Sequence, residues 1–192
     1  MGHRVCPWWL GYLLISPLRR LLLNPGKILA PLVHEGMTVL EPGPGMGFFT
    51  LALAGLVGSK GRVVALDVQP KMIGKLKRRL AKAGLQQRVE VRLVAAESLG
   101  IPDLAGKVDF TLAFAMVHEI PSSERFFAEA AAASRPEARL LLVEPSGHVT
   151  AEKFEAELRE ARQAGFTVVE RPRIRHSQAA LLQKSEAASS GT

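Results

Sequence analysis

The stretch VLEPGPGMGFFTLALAG, residues 39–55, decides how the chain is read. Met37, Val39 and Leu40 make a short apolar approach to Glu41. Gly43, Gly45 and Gly47 follow at every second position, and residues 48–56 return to apolar side chains at helical spacing. The expectation is strand, tight turn, helix. Glycine in such a turn allows positive φ and, lacking a Cβ, lets a ligand lie against the backbone at the helix start, where free N–H groups and the helix dipole favour negative charge. The dinucleotide fingerprint GxGxxG is not met, because Phe48 stands where its third glycine would fall. An acid at the strand end also repels a pyrophosphate and suits a cationic amine.

EPGPGMG, residues 41–47, resembles the first motif of the class I methyltransferases that use S-adenosylmethionine. The resemblance implies a turn of Gly43, Pro44, Gly45 and Gly47 under the amino-acid and ribose part of that cofactor, with Glu41 near its ammonium group. RVVALD, residues 62–67, reads as a buried parallel strand ending in a carboxylate. Asp67 stands 20 residues after Gly47, where its two oxygens can accept both hydrogen bonds of a ribose diol. The ordinary alternative for a single aspartate is a turn or helix cap. With the motif upstream, Asp67 and the following Val68 join the expected cofactor contacts.

Residues 70–83 form the next expected helix, with Met72, Ile73, Leu76, Leu80 and Ala83 on one face. Lys71, Lys75, Arg78, Arg79 and Lys82 cover the other with no acid among them. Such a stripe can meet RNA phosphates, but no aromatic platform accompanies it, and a solvated outer face is the simpler use. Gly84 ends the helix. Residues 88–94 alternate as a third strand and lead into AAESLGIPD. In the family this segment lies along the adenine; Ala95 stands at the usual aspartate position, which leaves backbone contacts from Ala96 or Glu97 and the Glu97 carboxylate as replacement. Glu97 is otherwise a helix-start acid.

Residues 107–113 are the fourth strand, followed by FAMVHEIPSSE. This resembles the segment of small-molecule methyltransferases in which a histidine just beyond the fourth strand faces the transferring methyl. The NPPY-like tetrapeptide of adenine- and glutamine-modifying relatives is missing. His118 is the candidate general base or orienting group, and Glu119 either holds its imidazole or takes the role itself. A histidine here can equally be a packing residue. Phe114, with Phe48 and Phe49, is placed to lie near the cofactor cation, although core packing is the commoner use of such rings.

Ser122 is expected to cap a helix over 123–134, and residues 139–145 form a fifth strand. The Pro-Gly-Gly turn by which the family usually enters that strand is replaced by Pro136, Glu137 and Ala138. Thr150 caps a helix carrying Phe154, Leu158 and Ala161 on one face, and Gly165 stops it. Residues 166–174 and 177–183 then read as a hairpin, the ending the family has at its sheet edge.

Residues 8–15 are apolar, but Pro17, Arg19 and Arg20 follow, so the run is far short of the roughly 20 residues of a membrane span. A secretory signal is disfavoured by the missing small-x-small cleavage site. Short helices over 8–15, 17–23 and 26–32, laid across the cofactor mouth as a lid, are the preferred reading. Peripheral membrane contact through residues 8–23, with Trp8 and Trp9 immersed, is the alternative. His3 and Cys6 make only half of a metal-ligand set, so no metal site is expected.

At 192 residues, 47% hydrophobic and 22% charged, the chain can build one core and is not of disordered composition. A single cysteine excludes an internal disulfide and fits a reducing, cytoplasmic setting. The net charge of +7 permits an acidic partner and selects none.

The expected division is a helical lid over 1–35, a methyltransferase domain over 36–184 and a flexible tail over 185–192. The resemblance implies an α/β doubly wound, Rossmann-like sheet of seven strands, ordered 3-2-1-4-5-7-6 with the seventh antiparallel. It further implies transfer of a methyl from S-adenosylmethionine, leaving S-adenosylhomocysteine, to a small-molecule acceptor. RNA, a membrane lipid or quinone, or no acceptor at all in a silent adaptor are the alternatives. Gly45→Val is predicted to abolish S-adenosylmethionine binding in calorimetric titration while leaving the domain folded; normal affinity would contradict the placement of the turn.

Overall fold

The computed structural model describes residues 23–185. The expected helices over 8–15 and 17–23, the His3 and Cys6 pair and the tail beyond Ser185 lie outside them, save Leu23 itself. Helix α1 is Pro25–Leu29, shorter than the expected 26–32. Asn24 caps it by accepting from the Lys27 N–H at 3.2 Å, and Pro25 begins it with a φ already suited to a helix.

Strand β1 (Thr38–Pro42) leads through the glycine turn to α2 (Thr50–Leu56), and β2 (Arg62–Asp67) follows. Helix α3 (Pro70–Lys82), β3 (Val89–Leu93) and β4 (Val108–Phe114) come next. The chain ends with α4 (Ser123–Ala133), β5 (Ser134–Pro145), α5 (Ala151–Gln163), β6 (Phe166–Glu170) and β7 (Ser177–Lys184). The seven strands form one sheet ordered β3-β2-β1-β4-β5-β7-β6, parallel except for β7, which runs antiparallel to both β5 and β6. That is the doubly wound order the motifs implied.

The reason is visible in the strand sequences. Side chains along a strand alternate between faces, and here both faces are buried. Val39, Val63, Ala65, Phe110, Leu112, Leu141 and Val143 pack with Leu29 of α1, Leu53 and Val57 of α2, and Leu76 and Leu80 of α3. Their neighbours Leu40, Val64, Leu66, Ala113, Leu140 and Leu142 pack on the other side with Phe126 and Phe127 of α4 and Phe154 and Leu158 of α5. Ser122 and Thr150 cap α4 and α5 as expected, accepting from the N–H groups of Arg125 at 3.1 Å and Lys153 at 3.3 Å.

Several boundaries differ from the sequence expectation. Strand β5 begins at Ser134 instead of 139, because residues 136–138 make no turn: Glu137 takes φ 62° and the register with β4 shifts between Val108 and Phe110. In place of a strand over 166–174, β6 ends at Glu170, ahead of Pro172, whose ring removes a ladder donor. Ser185 is tied to the sheet edge, its N–H donating to the Gly165 carbonyl at 2.9 Å. Leu29 and Val33 are core residues packed with α2, so the segment before residue 36 is partly built into the domain. Ala83 is exposed and takes no part in the buried face of α3. Among the described residues no helix is long and apolar enough to cross a membrane.

Phe127 is fully buried between α4 and the sheet. Its replacement by alanine is expected to lower unfolding free energy by about 3–5 kcal/mol in urea titration; a loss below about 1 kcal/mol would mean that this layer does not carry the core.

Candidate active site

The carboxyl ends of β1, β2, β4 and β5 open into one cavity of about 610 Å³ at the point where the strand order reverses. Its floor is the glycine turn. Gly43, Gly45 and Gly47 take φ of 68°, 53° and 82°, and their surroundings differ. A Cβ on Gly43 would stand 3.1 Å from Met116 Cβ, and one on Gly47 would stand 2.5 Å from Leu76 of α3. A Cβ on Gly45 would meet no atom within 4 Å, because Gly45 faces the cavity itself. The Gly43 N–H donates to the Leu66 carbonyl at 2.8 Å, fastening the turn to β2.

Two carboxylates flank this floor. Glu41 is 3% exposed and its Oε2 has no hydrogen-bond partner. Burial raises its pKa to about 7, with the Thr50 hydroxyl lowering it and the charge of Asp67 raising it by less. Asp67, 8% exposed, accepts the Gln69 N–H at 2.8 Å. Burial raises its pKa to about 6 against the backbone amides of Gln69, Gly45 and Val68, which lower it. An orphaned buried carboxylate and a floor open at Gly45 fit the sulfonium nucleoside: Glu41 offers an acceptor to an ammonium, and Asp67 keeps lone pairs for a diol.

Farther along the wall, Ala95, Ala96 and Glu97 are exposed and line the cavity. Ser98 and Leu99 beyond them are committed to the protein: the Ser98 hydroxyl donates to Glu129 Oε1 at 2.9 Å and the Leu99 N–H to Oε2 at 2.5 Å. Phe114 lines the cavity against Phe49, their ring centroids 4.3 Å apart.

The opposite end is built by the exit from β4. Ala115 has φ 55° and its N–H donates to the Val143 carbonyl at 2.7 Å, bending the chain into the short turn Val117–Glu119. The Val117 N–H donates to Glu144 Oε1 at 2.8 Å, and His118 Nδ1 bonds Glu144 Oε2. Glu144 is wholly buried near the end of β5. The carboxylate that holds the imidazole is therefore Glu144 and not Glu119, whose Oε1 stands 3.9 Å from Nε2. With Nδ1 as donor to a carboxylate, Nε2 is the nitrogen able to accept a proton. Glu144 pushes the His118 pKa up, and burial opposes it. The His148 ring stands edge-on to His118 at 5.6 Å between centroids.

Of the sequence candidates, Glu41, Gly43, Pro44, Gly45, Asp67, Val68, Ala96, Glu97, Phe114, His118 and Glu119 all line this cavity; Gly47 is instead packed under the turn. Glu144 was not among them. LLLVE repeats the pattern of TVLE and VVALD, an apolar strand closed by an acid, and that repetition was the available signal. Among the described residues no three His, Cys, Asp or Glu side chains are grouped as a metal site.

Residues 33–186 match the model of a methyltransferase domain. The fold is similar to a crystal structure of an S-adenosylmethionine-dependent methyltransferase from Aquifex aeolicus, with TM-score 0.82 and 29% identity over 93% of this chain and 99% of that one. The sequence is similar to an arsenite methyltransferase of Halobacterium salinarum, 32% identical over 119 residues covering 62% of this chain and 29% of that protein. It is also similar to a catechol O-methyltransferase of Mycobacterium tuberculosis, 41% identical over 83 residues covering 42% of this chain and 37% of that protein. The matched segments thus span well under half the length of these two relatives. With a domain model matching nearly the whole described chain and a solved relative of the same fold over 93% of it, the protein belongs to the S-adenosylmethionine-dependent methyltransferase domain family.

Proposed function

We propose that the protein transfers a methyl group from S-adenosylmethionine to a small, partly apolar acceptor whose attacking atom carries a proton, with His118 as general base. The observation that carries this reading is an imidazole fixed by a buried carboxylate in the same cavity as the glycine cradle. When bound, S-adenosylmethionine supplies a methyl already activated on a sulfonium. Glu41 would hold its ammonium and Asp67 its ribose, while Gly43, Pro44, Gly45, Gly47, Val68, Ala96, Glu97 and Phe114 shape the bed beneath it. Met116, Ile120, Phe126 and Pro145 line the acceptor end, apolar surface that positions the acceptor and excludes water. The acceptor's proton passes to His118 Nε2, and Glu144 stabilises the imidazolium that forms. Glu119, on the Nε2 side, is the second group able to take that proton.

A hydroxyl acceptor is favoured over arsenite, which is thiophilic and would call for several thiolates, whereas the sequence holds one cysteine. RNA is not favoured: among the described residues no aromatic platform joins the basic side of α3. The deciding measurement is release of S-adenosylhomocysteine with catechol, a short-chain quinol, arsenite and bulk tRNA as acceptors. Turnover with catechol or the quinol is expected. Methylation of tRNA alone would overturn the proposal, and cofactor binding without any turnover would mark a silent adaptor.

Two further results are expected. His118→Ala and Glu144→Gln should each lower kcat, the first by about 100-fold or more, with S-adenosylmethionine affinity within about twofold; an unchanged rate would reduce His118 to packing. Cofactor affinity should depend on pH through Glu41 and Asp67. Both must be ionised to serve as full acceptors, and both gain protons as pH falls through about 7 and about 6. Titration calorimetry should therefore show binding about tenfold or more weaker at pH 5.5 than at pH 8, and a flat profile would remove the two carboxylates from the site.

A further inference from the structure

Behind the His118 ring lies a second cavity of about 280 Å³, lined by His118, Ser123, His148, Lys153, Glu157 and Glu160. His118 and His148 line both this space and the main cavity, so the two rings form the partition between them. Its far side is the inner surface of α5. Glu157 there is only 8% exposed, and its Oε2 has no hydrogen-bond partner; Glu160 Oε2 is likewise buried and unpartnered. An acid buried without a bond is costly and calls for an explanation, and the mechanism above makes no use of it.

We infer that Glu157 is a positioning residue whose ionisation is coupled to that of His118 across the side cavity. The groups facing it are Glu144 from β5, His118 from the turn after β4, His148 from the loop after β5, Ser123 from α4, and Lys153 and Glu160 from its own helix. Burial first and the Glu144 charge second raise the Glu157 carboxyl to about 8, and a charged His118 lowers it; Glu157 in turn is among the acids that raise His118, after Glu144 and Glu119. At neutral pH and with a neutral ring, Glu157 keeps its proton, so Glu144 at Nδ1 and the part-exposed Glu119 near Nε2 are the acids that act on the imidazole, and Nε2 stays free to accept. When the acceptor's proton arrives at Nε2, the new positive charge favours release of the Glu157 carboxyl proton to solvent. Imidazolium and carboxylate then form a neutral pair, and one proton has left for each methyl transferred. Return of a solvent proton to Glu157 and loss of the ring proton reset the site. The two groups thus titrate as a pair.

This inference rests on His118 being the base, but its test does not need an acceptor. The His118 ring is titrated by NMR in wild type, in Glu157→Gln and in Glu155→Gln, an exposed position of the same helix that pairs with Arg171. In Glu157→Gln the His118 midpoint should fall by about one pH unit and the curve should become a single ionisation, while Glu155→Gln leaves it unchanged. An unaltered His118 curve in folded Glu157→Gln overturns the inference. Should that variant fail to fold, Glu157→Asp decides: an altered His118 titration supports the coupling and an unaltered one refutes it. Once an acceptor is in hand, the acid limb of kcat should move to lower pH in Glu157→Gln while KM for S-adenosylmethionine holds. A coupled titration in a protein without turnover would leave Glu157 in place and remove only the proposed function.

Discussion

Because helices cover both faces of the sheet, polar groups can meet a ligand only where the strands end. Every interior strand is apolar on both sides, with α1, α2 and α3 against one face and α4 and α5 against the other. Such a sheet has no wet surface of its own to carry a site. Its carboxyl edge, at the reversal between β1 and β4, is where backbone amides and side-chain acids converge on open space.

Three of those strands close with an acid, and desolvation gives each acid a different task. Glu41 is buried with an oxygen unpartnered, so it is poised to gain most from a cationic ligand. Asp67 is partly satisfied by amides of its own turn, which orients it while leaving acceptor capacity. Glu144 spends both oxygens on the segment after β4, one on a backbone N–H and one on His118. An acid at the same place in three strands is therefore left with an unpartnered oxygen, held by its own turn, or spent on a histidine, according to what else each carboxylate touches.

The glycine turn shows a similar division of labour. Gly43 is confined by Met116 and Gly47 by Leu76, so both are glycine because the protein packs against them, whereas Gly45 is glycine toward empty space. Of the three, Gly45 alone leaves its backbone open toward the cavity. Helix α5, which begins as a cover for the sheet, also brings Glu157 to the cavity that His118 lines, so the layer that stabilises the fold reaches the neighbourhood of the ring.

By itself the sequence determined the fold, because strands, turns and helix starts are written locally. Apolar runs bounded by glycine define parallel strands, capping serine and threonine mark helix starts, and EPGPGMG with Asp67 downstream sets a turn between two acids. What tertiary structure alone decided concerns partners distant in the chain. Glu144 lies 26 residues from His118 and meets it only because β5 pairs with β4 in register; local reading offered Glu119, the nearest acid in sequence, either as the ring's partner or as the base itself. Strand β5 starts early because a bulge absorbs Glu137, a choice made by its pairing with β4. Desolvation, finally, depends on what covers a group from every side, so the raised acids at 41, 67 and 157 exist only once the layers have closed over them.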